Sequence, residues 1–414
     1  MRYSLTKIYI TFFAILIASS VVIYYKIPPP SEDKKDQRLS VDGNDFTLTA
    51  TRVPNSKIAG GILNKTKKTG GLFIEKNGLI KIYEQSNSEE FSKKFELEKI
   101  VPGQSVVETN YGGVRKIFEY QSNLFALLPL TNSTPPKNKN CFFVSLINLT
   151  QKKEVFRAPC LPDKENNDFN AIGGGHTELN GELLLAIGAP DGLGTITPQL
   201  AQNLSSPYGK VLKFKKNDLI NPGPDSTKMK FSIFSYGHRN PQGLININND
   251  IYLIEHGPKG GDEINLLKKG GNYGWPIYSL GSTYPGIPYP AAGAIKKFKR
   301  PLFAFIPSAA ISDIRFCPEN LNRRYSPYKC VLISSLRGES IFVTLIDPYE
   351  KRVISTEQIK VGMRVREFAR GTGSEDSIYF STDGYGVFEL VISNVASPST
   401  PRPQTWKLTI PQPQ

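Results

Sequence analysis

Residues 243–258 read GLININNDIYLIEHGP. Two short runs rich in isoleucine flank Asn248-Asn249-Asp250. Asn and Asp tolerate the left-handed backbone of tight turns, so apolar runs on either side of such a triplet predict a β-hairpin. The same pattern returns in GLFIEKNGLIKIYE from Gly71, KIFEYQSNLFALLPL from Lys116 and HTELNGELLLAIGAP from His176. It appears again, more loosely, from Ser312 to Leu336 and from Arg366 to Gly384. Several hairpins are followed by a further strand-like run: GKVLKFKKND, DEINLLKKG, ESIFVTLID and GVFELVI. Six such units, starting roughly 45–70 residues apart, predict an all-β chain folded as a six-bladed β-propeller. The spacing is irregular, which leaves paired β-sandwiches, or five or seven blades, open. In a propeller the loops of every blade meet at one mouth of the central channel, so residues distant in sequence share a pocket there.

Outside the hairpins the chain changes character. IYITFFAILIASSVVIYY, residues 8–25, carries no charge, with Arg2 and Lys7 before it and Lys26 after it. That length sits at the lower edge of a membrane span, and the positive flank predicts a cytoplasmic N-terminus with the rest exported. A cleaved signal peptide is the competing reading, although no A-x-A site is apparent. Residues 1–26 are thus expected to be a signal anchor or signal peptide; either exports the rest to the periplasmic or cell-surface side, and the favoured anchor ties it to the inner membrane. Residues 27–50 are read as a polar linker, 51–395 as the propeller and 396–414 as a Pro-rich tail.

The chain has 414 residues and a net charge of +14. Such a balance attracts anions, but the lysines are scattered and no nucleic-acid-binding motif is present, so no nucleic-acid partner is expected. Cys141 and Cys160 bracket one β-rich stretch, and Cys317 and Cys330 bracket another. Cross-hairpin disulfides in an oxidising compartment are expected, with four buried thiols as the alternative. The absence of CxxC argues against a zinc ribbon, and no nucleophile elbow or metal-binding His spacing supports a hydrolase.

The chemistry concentrates in YGHRNPQGL, residues 236–244, and EHGPKGGDEINLLKKGGNYGWP, residues 255–276. Turn formation explains Pro241 and Gly243 but not the adjacent Arg239 and Asn240, whose donors suit carboxylates, carbonyls or sugar hydroxyls. A Gly-Pro step exposes consecutive carbonyl oxygens, which are calcium ligands by type. Asp262 and Glu263 offer carboxylates to a second cation or cap the following strand.

These two stretches together resemble the signature of the PQQ-dependent soluble glucose/sorbosone (aldose sugar) dehydrogenase family, strongly over 236–276 and fairly from about 170 to 392. The resemblance implies a six-bladed propeller that oxidises an aldose sugar with pyrroloquinoline quinone (PQQ) and Ca²⁺, passing electrons to an unknown acceptor. It implies that Arg239 and Asn240 face sugar and quinone, that Gly257 and Pro258 bind calcium through their carbonyls, and that Asp262 and Glu263 hold a further calcium. It also implies that Arg337, in SSLRG, and Arg364 and Arg366, in MRVRE, contact the cofactor. Guanidinium forks pair bidentately with carboxylates, and PQQ carries three.

One position departs from the family. Its general-base histidine stands eleven residues before the turn glycine of the third hairpin, and counting back from Gly181 gives Asn170. An amide does not take up a proton, and loss of a general base typically costs about 10²–10⁴-fold in rate. His176, six residues on, reaches that point only by a register shift. A catalytically impaired dehydrogenase is therefore expected, with an inactive propeller that binds carbohydrate or protein as the alternative.

Overall fold

Asn240–Ile247 and Asp250–His256 pair antiparallel with Ile245 opposite Tyr252 and Ile247 opposite Asp250. Asn248 and Asn249 form the two-residue turn with φ of 53° and 67°, the mirror-image geometry that matches strand twist. Gln121-Ser122 and Asn180-Gly181 turn the hairpins of Lys116–Tyr120 and Gly173–Leu179 in the same left-handed way. In this computed structural model the described residues are 38–52, 62–65, 71–74, 79–83, 91–94, 97–107, 113–132, 141–162, 169–189, 196–283, 285–289, 297–370 and 377–395.

All six expected hairpins form, each in a different sheet, and the described strands assemble into six sheets of four or five strands. Strands from successive sheets pack side by side: Ile62–Lys65 against Lys116–Tyr120, Gly173–Leu179 against Asn240–Ile247, then Ile311–Phe316 and Val365–Arg370. Val365–Arg370 packs back onto Ile62–Lys65, which closes the ring, and Phe118 stacks on His176 at 4.2 Å to join the second and third hairpins. The fold is a β-propeller.

Apolar side chains fill the spaces between sheets. Ile254, Ile264, Ile314, Val331 and Phe342 form one such cluster, each fully buried side chain contributing roughly 1.5–3 kcal/mol. Glycines set the closest approach: a Cβ on Gly175 would lie 2.9 Å from the Gly243 backbone. The run of three glycines at 173–175 therefore lets the third and fourth inner strands touch, beside the site described below.

Two expectations change. The linker of residues 27–50 ends earlier, because Arg38–Asp42 and Thr47–Arg52 are strands that complete the last sheet beside Gly386–Ser393. Phe46, Leu48 and Ala50 are buried there; their period-two pattern was masked by polar residues between them. The fifth hairpin has no tight turn. A short helix, Glu319–Arg324, lies between its strands, and a disulfide joins Cys317 to Cys330 across it with Cα atoms 5.4 Å apart. Cys141 and Cys160 form the second disulfide.

Among the described residues no helix is long and apolar enough to cross a membrane. The expected anchor at 8–25 and the tail at 396–414 lie outside the described residues.

Candidate active site

YGHRNPQGL runs into a strand rather than forming a loop: Asn240–Ile247 begins at its asparagine, with a bulge between Pro241 and Gly243. His238 is completely buried and structural. Its Nδ1 meets Glu255 Oε1 at 3.0 Å, its Nε2 meets Ser235 Oγ at 2.8 Å, and its ring stacks on Tyr273. With both nitrogens engaged, it anchors the turn that aims the next two residues.

The Arg239 backbone N–H donates to Glu255 Oε2 at 3.0 Å, and Nη1 donates to the Gly257 carbonyl at 3.0 Å. Its guanidinium lies over the Trp275 ring, 5.3 Å from the centroid, a favourable cation–π placement. Asn240 Oδ1 accepts from the Gly173 N–H at 3.1 Å and from Gln242 Nε2, while Nδ2 lies 3.3 Å from His256 Nδ1. Buried contacts thus hold both side chains of the Arg-Asn pair in single orientations.

The Gly-Pro step is equally constrained. A Cβ on Gly257 would collide with the carbonyl oxygens of Gly260 and Gly261, so only glycine fits. Asp262, fully buried, accepts from the Gly257 N–H at 3.1 Å, Ser308 Oγ at 2.6 Å and the Ala310 N–H at 2.6 Å. It braces the loop.

Glu263 faces a smaller pocket behind that loop, shared with Glu255, Tyr273 and Trp275. Burial and then Glu255 push its carboxyl up to about 8, while Asn265 Nδ2 donates to it at 2.9 Å. Neither Asp262 nor Glu263 lines the arginine-rich cavity described below. Among the described residues no group of three or more His, Cys, Asp or Glu is disposed to hold a metal ion.

Arg364 and Arg366 share one carboxylate that the sequence did not announce. Asp383 accepts from Arg364 Nε at 3.1 Å and from Arg366 Nε and Nη2, each at 2.7 Å. The guanidinium pair holds this carboxyl, already buried, below the usual range. On the other side of the same strand Glu367 accepts from buried Lys116 at 2.8 Å. Asp313 lies 3.4 Å from that ammonium.

These residues converge. A cavity of about 280 Å³ is lined by Arg239, Asn240, Gly257, Pro258, Arg337, Arg364 and Arg366, which come from three different sheets and the loops between them. Arg115, Gln242, His256 and Ser308 also line it and were missed by sequence reasoning. Arg115 precedes the second hairpin with no local signal beyond its charge, whereas His256 stands beside the Gly-Pro step. His256 Nε2 is buried, and burial, then Arg239 and Arg115, lower the basicity of the ring.

The sequence matches the family described as Glucose / Sorbosone dehydrogenase over residues 68–388, most of the chain. This protein belongs to the glucose/sorbosone dehydrogenase family.

Among relatives of that family, aldose sugar dehydrogenase YliI of Escherichia coli is 32% identical over 193 residues, 44% of this chain and 50% of that protein. The aligned part thus spans about half the length of that relative. The solved soluble aldose sugar dehydrogenase of E. coli, in its apo form, superposes with a TM-score of 0.64 at 23% identity, covering 84% of this chain and 99% of that one. The PQQ-bound form of the aldose sugar dehydrogenase of Streptomyces coelicolor gives 0.55 at 20% identity, covering 88% and 100%. At those identities the superpositions show the propeller fold shared by this glucose/sorbosone dehydrogenase family member.

Two further expected positions are Asn170 and His176. Asn170 belongs to the turn Phe169–Ile172, but its side chain lies outside the described residues. His176 does not line the cavity. Its ring packs on Phe118, and its Nδ1 lies 3.4 Å from the Gly174 carbonyl. Burial lowers its basicity well below that of a free imidazole, with Lys116 and Arg315 adding to the effect.

Proposed function

We propose that this protein is an exported, PQQ- and calcium-dependent aldose dehydrogenase whose six sheets act as six blades around the arginine-lined cavity. In this reading residues 8–25 hold it at the inner membrane, and turnover is impaired by Asn170. One observation carries the reading: seven residues assigned by resemblance from separate stretches of sequence line a single cavity.

The residues fit the cofactor. Among the described residues five arginines line the cavity and no Asp or Glu does, the donor set that a tricarboxylate requires. Arg337, Arg364 and Arg366 would hold its carboxylates, with Arg239 and Asn240 at its reactive edge. The Gly257 and Pro258 carbonyls are hard oxygen donors suited to Ca²⁺. Asp262 is already committed to loop amides, so a second ion there forms no part of this reading. Bound PQQ would supply the electron-accepting centre that no side chain provides.

The chain's own contribution is orientation. Arg239, fixed by Glu255, Gly257 and Trp275, presents a charge that needs no reorganisation when negative charge develops on the sugar oxygen. His256, an imidazole of lowered basicity, lines the same wall beside the Gly-Pro step. At Asn170 no proton is accepted, so removal of the anomeric hydroxyl proton is left to solvent or substrate and oxidation is slow.

Asn170 also favours a second reading, in which the cavity binds a ligand without turnover. Reconstitution with PQQ and Ca²⁺, followed by cofactor absorbance and by dye reduction over a panel of aldoses, separates the two. Absence of PQQ uptake overturns the cofactor assignment. Uptake without dye reduction selects the binding protein.

A further inference from the structure

From Ile264 to Ser312 the sequence contains six cations and no Asp or Glu. Five of the cations are described, and all five are exposed: Lys268, Lys269, Lys297, Lys299 and Arg300. None of them forms an ion pair among the described residues.

The fold brings the two groups together. The Lys299 N–H donates to the Asn272 carbonyl at 2.8 Å, and Phe298 stacks on Tyr278 with centroids 6.0 Å apart. A Cβ on Gly271 would lie 3.4 Å from Lys299 Cγ. The cations therefore flank the segment Asn272–Tyr278, whose Trp275 covers Arg239 in the cavity wall. Ile277, 42% exposed, sits within the same segment.

A basic face with an exposed apolar residue, one ring away from a redox cavity, has the character of a transient docking surface. Electron-transfer encounters bury little area and depend on charge steering for their rate. We infer that this face docks an acidic one-electron carrier protein, which collects the electrons released in the cavity. The inference rests on the dehydrogenase reading.

Oxidation of one aldose to its lactone breaks the C1–H and O–H bonds and forms the C1=O bond. Two electrons and two protons leave the sugar. Two oxidised carriers are each reduced by one electron in succession, and the two protons pass to solvent.

The test compares the full chain with Lys268→Glu/Lys269→Glu and Lys297→Glu/Lys299→Glu variants, none of which alters a cavity residue. An acidic single-haem cytochrome and a basic one of similar size serve as probes, by surface-resonance binding and by stopped-flow haem reduction after reconstitution with PQQ, Ca²⁺ and glucose. Expected are binding of the acidic probe only, and a rate that falls about 10- to 100-fold on charge reversal or on raising ionic strength from low to physiological. Reduction of a small neutral dye should stay unchanged.

Equal binding of both probes, or a rate insensitive to the reversals and to salt, overturns the inference while leaving the dehydrogenase reading intact. Failure of every aldose to reduce dye overturns that reading instead, and selective binding of the acidic cytochrome then still decides the docking face. If the variants lose only the salt-sensitive binding to phosphatidylglycerol vesicles, the face is a membrane contact and the inference falls.

Discussion

Replacing Lys116 with Met tests how the arginine-bearing strand is held. The Lys116 ammonium is 3% exposed and lies 2.8 Å from Glu367, itself 6% exposed, and 3.4 Å from Asp313. Removing one partner of a buried pair strands the other charges in low dielectric, at a cost of about 3–5 kcal/mol. Because the groups are almost fully buried, salt screening does not reduce that figure much. With an unfolding entropy of about 2 cal/mol/K per residue, a domain of this size should lose roughly 4–7 °C in Tm.

The sign of the pH dependence follows from the same groups. Burial raises the Glu367 carboxyl above its ordinary value while Lys116 opposes the rise, so the variant raises it further. A carboxyl raised in the folded state contributes stability below its unfolded pKa of about 4.3 and loses it as pH climbs through the folded value. Asp313 is lowered, burial opposing and Lys116 leading the lowering; its contribution is present above its unfolded pKa and disappears on acidification. Both effects make the deficit of Lys116→Met largest near neutrality and smaller toward pH 4–5. Calorimetric or fluorescence melts from pH 4.5 to 8 measure it, and Lys116→Met/Glu367→Gln should recover part of the loss. A Tm change under about 2 °C, or a deficit constant across that range, would refute the reasoning.

Arg366→Met should weaken PQQ binding by about 10- to 100-fold in an absorbance titration, since a charge-assisted hydrogen bond contributes about 1.5–3 kcal/mol; unchanged affinity would remove the strand from the cofactor site. Asn170→His should raise aldose-dependent dye reduction by about 10²-fold or more, and no gain would show that the missing base is not the limiting defect. Cys317→Ala/Cys330→Ala opens a loop of sequence separation 13 and should lower stability by about 2–3 kcal/mol in urea unfolding; an unchanged midpoint would mean the helix at 319–324 closes that loop by itself.

The hairpins were legible because period-two alternation and Asn-rich turns are local signals, and local backbone geometry decides both. GHRNPQGL announced its arginine and asparagine because turn formation left them unexplained. Residues 38–50 were read as linker because polar composition hides three buried side chains whose partners, in Gly386–Ser393, lie more than three hundred residues away. Asp383, Lys116 and Arg115 each look like a solvated charge in sequence. Asp383 meets the Arg364–Arg366 fork within one hairpin, just past the strand paired with Val365–Arg370, whereas only the ring of sheets sets Lys116 against Glu367, 251 residues on.

By itself the sequence determined the repeating hairpins, the all-β class, the placement of cysteines at both ends of two β-rich stretches, and the kinds of side chain available for an anionic cofactor. The tertiary structure alone decided which of those side chains share a cavity, and that Asp262 braces a loop while His256 faces the cavity and His238 is buried away from it. The reason is physical: hairpin formation depends on neighbours along the chain, whereas charge pairing and burial depend on neighbours in space, and in a closed ring those come from opposite ends of the sequence.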